Sequence, residues 1–409
     1  MDGSEELVVN PHSELRVLRA GGAPSAVVVQ SQRRGAHRTV ATVAPSAEYG
    51  VFPLLVQLAE ARGALEISLT DEQTASLERL GMLVDPAEIP REVRYRPRLD
   101  RDLLEALPPR DRAATVPSLR GAVVHPDLVL QEGPEPPPRL PSSVREALSD
   151  PALSFEGVTA WIPDRGTSVW CPHQIEPALA AELRRWRDSG VPADIADPTL
   201  AALLFGAGIL VPPDDDGARA RRAIAWDRAR NAFSDAAHAV LDRLLPPLTV
   251  AALRRHYAAL EREGFFSLGD SLVERRIVAH NEPVARLFHA QLAPAVEAIT
   301  GEPVKPSYVF FSSYLPGAVL PRHVDRAQCE YSLSFQVDYS PEPEDRTPWP
   351  LYLENAGARE PRAIHLGLGD ALLYAGRRQP HHRPRLARGH RSTSLFFHFV
   401  REDFDGSLD

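Results

Sequence analysis

Proline limits what this chain of 409 residues can fold into more than any other residue does. There are 39 prolines, and ten of them fall between residues 107 and 151, including the run Pro134, Pro136, Pro137 and Pro138. Each fixes φ and removes a backbone donor, so the stretch can propagate neither a long helix nor a central strand. It reads as a linker carrying short extended pieces. Pro212-Pro213-Asp214-Asp215-Asp216-Gly217 is a second, acidic break. The expected organisation is a first module over 1–106, a linker over 107–151, a second module over 152–217 and a larger domain over 225–409.

Composition removes whole classes of function. With 44% apolar and 25% charged residues the chain is globular in make-up, not fibrous or disordered. A net charge of −9 argues against nucleic acid as a partner, because a phosphate backbone rewards a basic face. Cys171 and Cys329 are too few for a disulfide framework and too far apart for a CxxC zinc site, which fits a reducing cytoplasm. No apolar run reaches the roughly 18 residues of a membrane span, and the acidic start MDGSEELVVN is wrong for a signal peptide. The expectation is a cytoplasmic protein acting on neither membrane nor nucleic acid.

Residues 63–86 and 190–213 align without a gap at an offset of 127. Gly63 matches Gly190, Leu77 matches Leu204, Gly81 matches Gly208, and Leu83-Val84 matches Leu210-Val211. Each copy reads as a helix, a glycine stop and a short apolar strand. Helix-like stretches precede both, at Phe52–Ala61 and Ile175–Trp186. In pattern the copies resemble small winged-helix modules that bind leader peptides in the biosynthesis of modified peptides, which implies substrate capture; scaffolding or dimerisation is the alternative.

From about residue 225 apolar residues recur at helical spacing over Ile224–Leu245, Val250–Gly264 and Asn281–Thr300. After Gly301 the period becomes two: Tyr331, Leu333, Phe335, Val337 and Tyr339 alternate with Ser332, Ser334, Gln336 and Asp338. Further strands are expected at Ala363–Leu368, Ala371–Tyr374 and Ser394–Val400. The fold class is therefore α+β, a jelly roll (double-stranded β-helix) buttressed by helices and preceded by two small repeated α/β modules.

Six of the fourteen histidines lie within residues 323–398. Arg322-His323-Val324-Asp325 is the most informative, since at the start of a strand His323 and Asp325 would share a face while Val324 packs behind. One more imidazole completes two histidines and a carboxylate, which leaves open positions on Fe(II) as non-haem oxygenases require. His381 and His382 both offer it. His398, in an apolar run, reads as a core or supporting residue, Cys329 as a small buried apolar one, and Arg326, Gln336 and Trp349 as possible walls of a pocket.

The spacing GDALLY…H…GxR over 369–391, with the upstream HxD and Tyr314, resembles the Fe(II)/2-oxoglutarate-dependent dioxygenases, specifically the prolyl-hydroxylase-like group, over about 305–402. The resemblance implies His323, Asp325 and His381 as iron ligands and catalytic centre, with His381 favoured over His382 by its distance of ten residues from Arg391. It implies Arg391 as the fork that grips the 5-carboxylate of 2-oxoglutarate, with Thr393 on the same strand face and Tyr314 as added donors. The implied cofactors are Fe(II), 2-oxoglutarate and O2, with ascorbate as a candidate reductant. The implied reaction decarboxylates 2-oxoglutarate to succinate and CO2 and hydroxylates a C–H bond; a halogenating relative would lack the carboxylate ligand, and Asp325 is present. The expected substrate is a peptide, a protein or an amino-acid-derived molecule. The alternatives are oxidation of another small molecule with the N-terminal modules forming a homodimer, and an inactive binding or sensing protein.

Overall fold

The computed structural model describes residues 7–45, 50–61, 67–112, 119–153, 155–192, 195, 197–212, 216–355, 357 and 359–409. It divides into two compact units, residues 1–93 with 257–268, and residues 94–256 with 269–409. Among the described residues no helix is long and apolar enough to cross a membrane.

In the first unit, β1 (Val8–Val9) is followed by an antiparallel sheet of β2 (Ser13–Ala20), β3 (Ala23–Ser31) and β4 (Thr39–Val43), then by α1 (Phe52–Glu60), α2 (Asp71–Arg79) and β5 (Leu83–Val84). Alternation along β3 turns Val27 and Val29 inward against Leu54, Leu55 and Leu77 of the helices. Thr70 and Gln73 cap α2 reciprocally. At its other end Gly81, at φ +71°, releases the chain into β5, which pairs antiparallel with β1.

The second unit opens with α3 (Arg101–Glu105) and α4 (Pro109–Arg112). It then repeats the order of the first: β6 (Val123–Val124), an antiparallel sheet of β7 (Val129–Gln131), β8 (Val158–Pro163) and β9 (Trp170–Ile175), helices α6 (Pro177–Ser189) and α7 (Pro198–Gly206), and β10 (Leu210–Val211). Gly208 again sits at φ +71°, and β10 pairs with β6 as β5 does with β1. The added element is α5 (Ser142–Ala147), between β7 and β8. The two stretches share this order of elements among the described residues; Gly63, like Pro213, Asp214 and Asp215, lies outside them. The boundaries differ from expectation. The second copy begins at β6, inside the stretch read as a linker, and residues 94–256 form one unit with 269–409. Prolines 126, 134, 136, 137 and 138 occupy the connections between short elements, where no ladder bond is needed.

A helical segment, α8 (Asp216–Ala236), leads into β11 (His238–Leu241), and α9 (Pro247–Arg262), β12 (Ser267–Leu268), β13 (Arg276–His280) and α10 (Pro283–Thr300) follow. The helix expected to reach Leu245 stops at Ala236, because Ala237 takes φ +55° and His238–Leu241 pair with a strand near the C-terminus. A short apolar run fits either period, and the available sheet edge decided it. α10 begins with Pro283 in its first turn, and Glu282 accepts from the Ala285 N–H.

The remaining strands are β14 (Val304–Tyr314), β15 (Leu320–His323), β16 (Tyr331–Ser340), β17 (Leu351–Leu353), β18 (Arg362–Ile364), β19 (Ala371–Tyr374), β20 (His381–Arg383) and β21 (Arg391–Arg401). One sheet runs β11-β19-β16-β21-β14-β13 and the other β15-β20-β17-β18, with antiparallel neighbours throughout. From β14 to β17 the chain alternates between the sheets, and again from β18 to β21, which is the jelly roll expected. Tyr314, Tyr339, Leu351, Leu353, Leu372, Tyr374 and Trp349 fill the space between them.

The proline-rich stretch is tied to this jelly roll by a buried ion pair. Asp370, fully buried just before β19, accepts from Arg110 Nη2 at 2.6 Å and Nη1 at 3.2 Å, and from the backbone N–H of Gly367 and Arg243. Removing one partner of such a pair strands the other, at a cost of about 3–5 kcal/mol. Asp370→Asn is expected to lower the urea unfolding midpoint by a corresponding amount; an unchanged midpoint would show that the pair does not fasten this stretch.

Candidate metal centre

Three acceptor atoms converge at the mouth of the jelly roll. His323 is the last residue of β15 and His381 the first of β20, and the two face each other across the β15–β20 pair. Their ring centroids are 4.3 Å apart. Asp325 follows in the loop after β15, held by its N–H donating to the Gly376 carbonyl. The ligand atoms of His323, Asp325 and His381 lie within 4.8 Å of one another. The HxD motif therefore sits at the end of a strand, not at its start as expected. Val324 is exposed and does not pack behind the pair. Convergence comes from the turn that follows the strand, not from strand alternation.

Hydrogen bonds fix the donor set. His323 Nδ1 donates to the Pro321 carbonyl at 2.9 Å and His381 Nδ1 to the Gln379 carbonyl at 3.0 Å. A carbonyl can only accept, so in each neutral ring the proton is on Nδ1 and the Nε2 lone pair faces the cluster. Those Nε2 atoms stand 3.6 and 3.5 Å from Asp325 Oδ1, too far for a good hydrogen bond. Ser332 Oγ donates to Asp325 Oδ2 at 2.6 Å, so His398 Nδ1, 3.0 Å from that hydroxyl, is the donor to it. One carboxylate oxygen is thereby occupied and the other left for the cluster. Two imidazole nitrogens and a carboxylate oxygen pointing at one another need a cation between them, and the set suits a borderline divalent metal such as Fe(II).

The electrostatics agree. Burial alone would raise the Asp325 carboxyl, but the closeness of the His323 and His381 rings outweighs it and holds the group well below the usual carboxylate range. Burial opposes charge on His323 as well, yet Asp325 raises it above the ordinary histidine value. Burial pushes His398 down to about 4, keeping its ring neutral. Gly376 is required by space: a Cβ there would lie 2.2 Å from Asp325 Oδ2 and 2.7 Å from Ser332 Oγ.

His382, the other reading of the distal ligand, stacks on Tyr352 at 5.0 Å on the opposite face of β20 and does not join the cluster. Tyr314 does line the cavity with the triad, but its hydroxyl accepts from Arg276 Nη1 at 3.1 Å. Arg391 and Thr393 are not where they were expected. β14 and β21 pair without a break from Val309–Phe397 to Tyr314–Ser392, so alternation holds through this stretch. Phe396 and His398 face the cavity; Thr393 bonds Ser313 Oγ at 2.8 Å and Arg391 Nε donates to the same hydroxyl at 2.8 Å, on the other side of the sheet. The spacing from His381 was right, but strand phase turns both side chains away.

The cavity holds roughly 810 Å³ and is walled by aromatic residues Tyr308, Phe310, Tyr374 and Phe396. Arg326, as expected, lies on it, 4.4 Å over the Tyr308 ring, and Cys329, beside Tyr308 Oη, is pushed up to about 12 by burial. Gln336 instead serves the backbone at the β16 bulge, donating to the Asp338 and Thr393 carbonyls. Trp349 packs in the core between the two sheets, its Nε1 donating to the Pro384 carbonyl. Sequence reasoning missed Ser332 and Gly376 and gave His398 only a general supporting role. The signal for Ser332 was present, because Ser332, Ser334 and Gln336 are the polar half of a strand that is buried on both faces.

No family model matches this sequence, and no curated protein matches it. Solved structures to which the chain is similar include a Pseudomonas putida prolyl-4-hydroxylase, with 18% identity and a TM-score of 0.36 over 43% of this chain and 99% of that one. Another is a Trichoplax adhaerens prolyl hydroxylase in complex with a hypoxia inducible factor oxygen degradation domain peptide fragment, with 12% identity and a TM-score of 0.37 over 46% and 94%. A third is HygX from Streptomyces hygroscopicus with nickel, 2-oxoglutarate and hygromycin B bound, with 14% identity and a TM-score of 0.35 over 43% and 88%. Each of the three covers less than half of this chain, and the functional reading rests on the site itself.

Metal content after reconstitution with Fe(II) under anaerobic conditions checks the geometry. His323→Ala and Asp325→Ala are expected to lose most of the affinity, and Ser332→Ala to weaken it by about 10- to 100-fold as a supporting residue does. His382→Ala should bind as the unaltered protein. Equal metal content in all four variants would remove the triad.

Proposed function

We propose that the protein is an Fe(II)- and 2-oxoglutarate-dependent oxygenase that hydroxylates a C–H bond of a peptide, a protein or an amino-acid-derived substrate. The observation that carries this reading is the convergence of His323 Nε2, Asp325 Oδ1 and His381 Nε2 on one point, with proton positions that leave all three free to accept. Three protein ligands on one side leave the other positions of an octahedral ion open. When bound there, iron with 2-oxoglutarate and O2 supplies the oxidising chemistry, in which 2-oxoglutarate is converted to succinate and CO2.

The chain's own residues account for the rest. The backbone carbonyls of Pro321 and Gln379 hold the two imidazoles in the tautomer that presents Nε2. Ser332 and His398 keep Asp325 turned so that a single oxygen faces inward. The aromatic walls exclude water around the reacting carbon, while Arg326 and His280 place positive or polar groups at the cavity where an acceptor of the substrate would be held. The two repeated modules are assigned to substrate capture.

Turnover tests the reading. With Fe(II), ascorbate and O2, the protein is expected to convert 2-oxoglutarate to succinate, faster when its substrate is present, and the substrate should gain one oxygen atom by mass spectrometry. Asp325→Ala should abolish both. Iron-loaded protein that binds 2-oxoglutarate yet forms no succinate with any peptide or amino-acid derivative would favour the sensing alternative.

A further inference from the structure

We infer that Arg383, and not Arg391, holds the distal carboxylate of the 2-oxo dicarboxylate co-substrate; the inference rests on the proposed reading of the triad as an Fe(II) centre. Arg383 lies two residues along β20 from His381, so the two side chains leave the strand on the same face, into the space between the sheets. Two residues of strand advance about 6.6 Å, on the scale of the separation between the two ends of a five-carbon dicarboxylate. Arg383 is 3% exposed, and its guanidinium lies 4.7 Å over the Trp349 ring. Its Nη1 donates to the Trp349 carbonyl at 3.1 Å, and its Nε is buried without a hydrogen-bond partner. Tyr314, Tyr374 and Tyr339, which share the core cluster of Trp349, are near enough to act on its charge. Among the described residues no carboxylate pairs with it.

A guanidinium taken out of water is costly unless an anion and hydrogen bonds compensate it. No described residue supplies that anion here, and a carboxylate entering from the metal side would. Two of the other cations are already engaged. Arg276, which faces the cavity, holds Asp270 through Nε at 2.7 Å and Nη2 at 2.5 Å. Arg391 points to the other side of the sheet, where Ser313 accepts from it. The Nε edge of Arg383 carries no hydrogen bond within the protein, which leaves it to donate to both oxygens of a carboxylate. The neighbouring tyrosine hydroxyls are the natural additional donors.

The experiment compares two ligands in four proteins. 2-Oxoglutarate and 2-oxopentanoate, which lacks the distal carboxylate, are titrated anaerobically into Fe(II)-loaded unaltered protein, Arg383→Lys, Arg383→Met and Arg391→Gln. The metal-to-ligand charge-transfer band and calorimetry report binding, and metal content is measured alongside. The unaltered protein should prefer 2-oxoglutarate; Arg383→Met should lose about 30-fold or more of that affinity while keeping its metal and its binding of 2-oxopentanoate. Arg383→Lys should fall between, because it keeps the charge and loses the fork, and it serves as the test if the Met variant does not fold. Arg391→Gln should bind as the unaltered protein. Loss of 2-oxoglutarate in Arg391→Gln with retention in both Arg383 variants would overturn the inference while leaving the metal centre standing. Unaltered protein that takes up iron but neither oxo acid, or no iron, would overturn the reading on which the inference rests, and the inference with it.

Discussion

The division of labour between the two oxygens of Asp325 is the constraint on which the rest of the site depends. Oδ2 is claimed by Ser332, whose hydroxyl is in turn held by His398, and Oδ1 is left facing two imidazole nitrogens. A buried carboxylate in this position is tolerable only because its neighbours favour the charged form. The absent side chain at Gly376 is part of the same arrangement, since any Cβ there would occupy the space of Oδ2. Take away the serine, the histidine behind it or the glycine, and the carboxylate can rotate and offer the cluster nothing defined.

The jelly roll brings these groups together from four separate pieces of chain. β15 and β20 place the two histidines opposite each other, β16 contributes Ser332, and β21 contributes His398. The interior that results is not purely apolar. It contains a polar stripe from β16, several tyrosines and a buried arginine, at a cost that an apolar filling would have avoided. On the proposed reading, a cavity that accepts a charged dicarboxylate and a metal explains that cost, and the aromatic wall beyond it explains how a C–H bond could be kept near the metal and away from water.

Much of this was legible in the sequence. The period-two pattern over Tyr331–Tyr339 gave the central strand, and the HxD pair with a distal histidine gave the cluster. What sequence could not give was phase. Arg391 has the right distance from His381 along the chain, yet the regular pairing of β21 with β14 turns it to the wrong face, while Arg383, hidden in a run of basic residues, points inward. Likewise His381 and His382 are equivalent in sequence and are separated only by which face of a three-residue strand each occupies. Gly81 and Gly208 were legible as helix stops, but the short strands around them were not, because prolines that forbid a long element still permit strands of two or three residues such as β6 and β7. His238–Leu241 was read as helix for the same reason, since a short apolar run does not declare its period.

Anomalous diffraction from crystals soaked in Mn(II), a redox-stable stand-in for Fe(II), tests the central claim most directly. The account predicts one strong peak per chain within bonding distance of His323 Nε2, Asp325 Oδ1 and His381 Nε2. A peak instead among Asp325, Cys329 and His398, the other group of nearby ligand atoms among the described residues, or no peak at the triad at all, would contradict it.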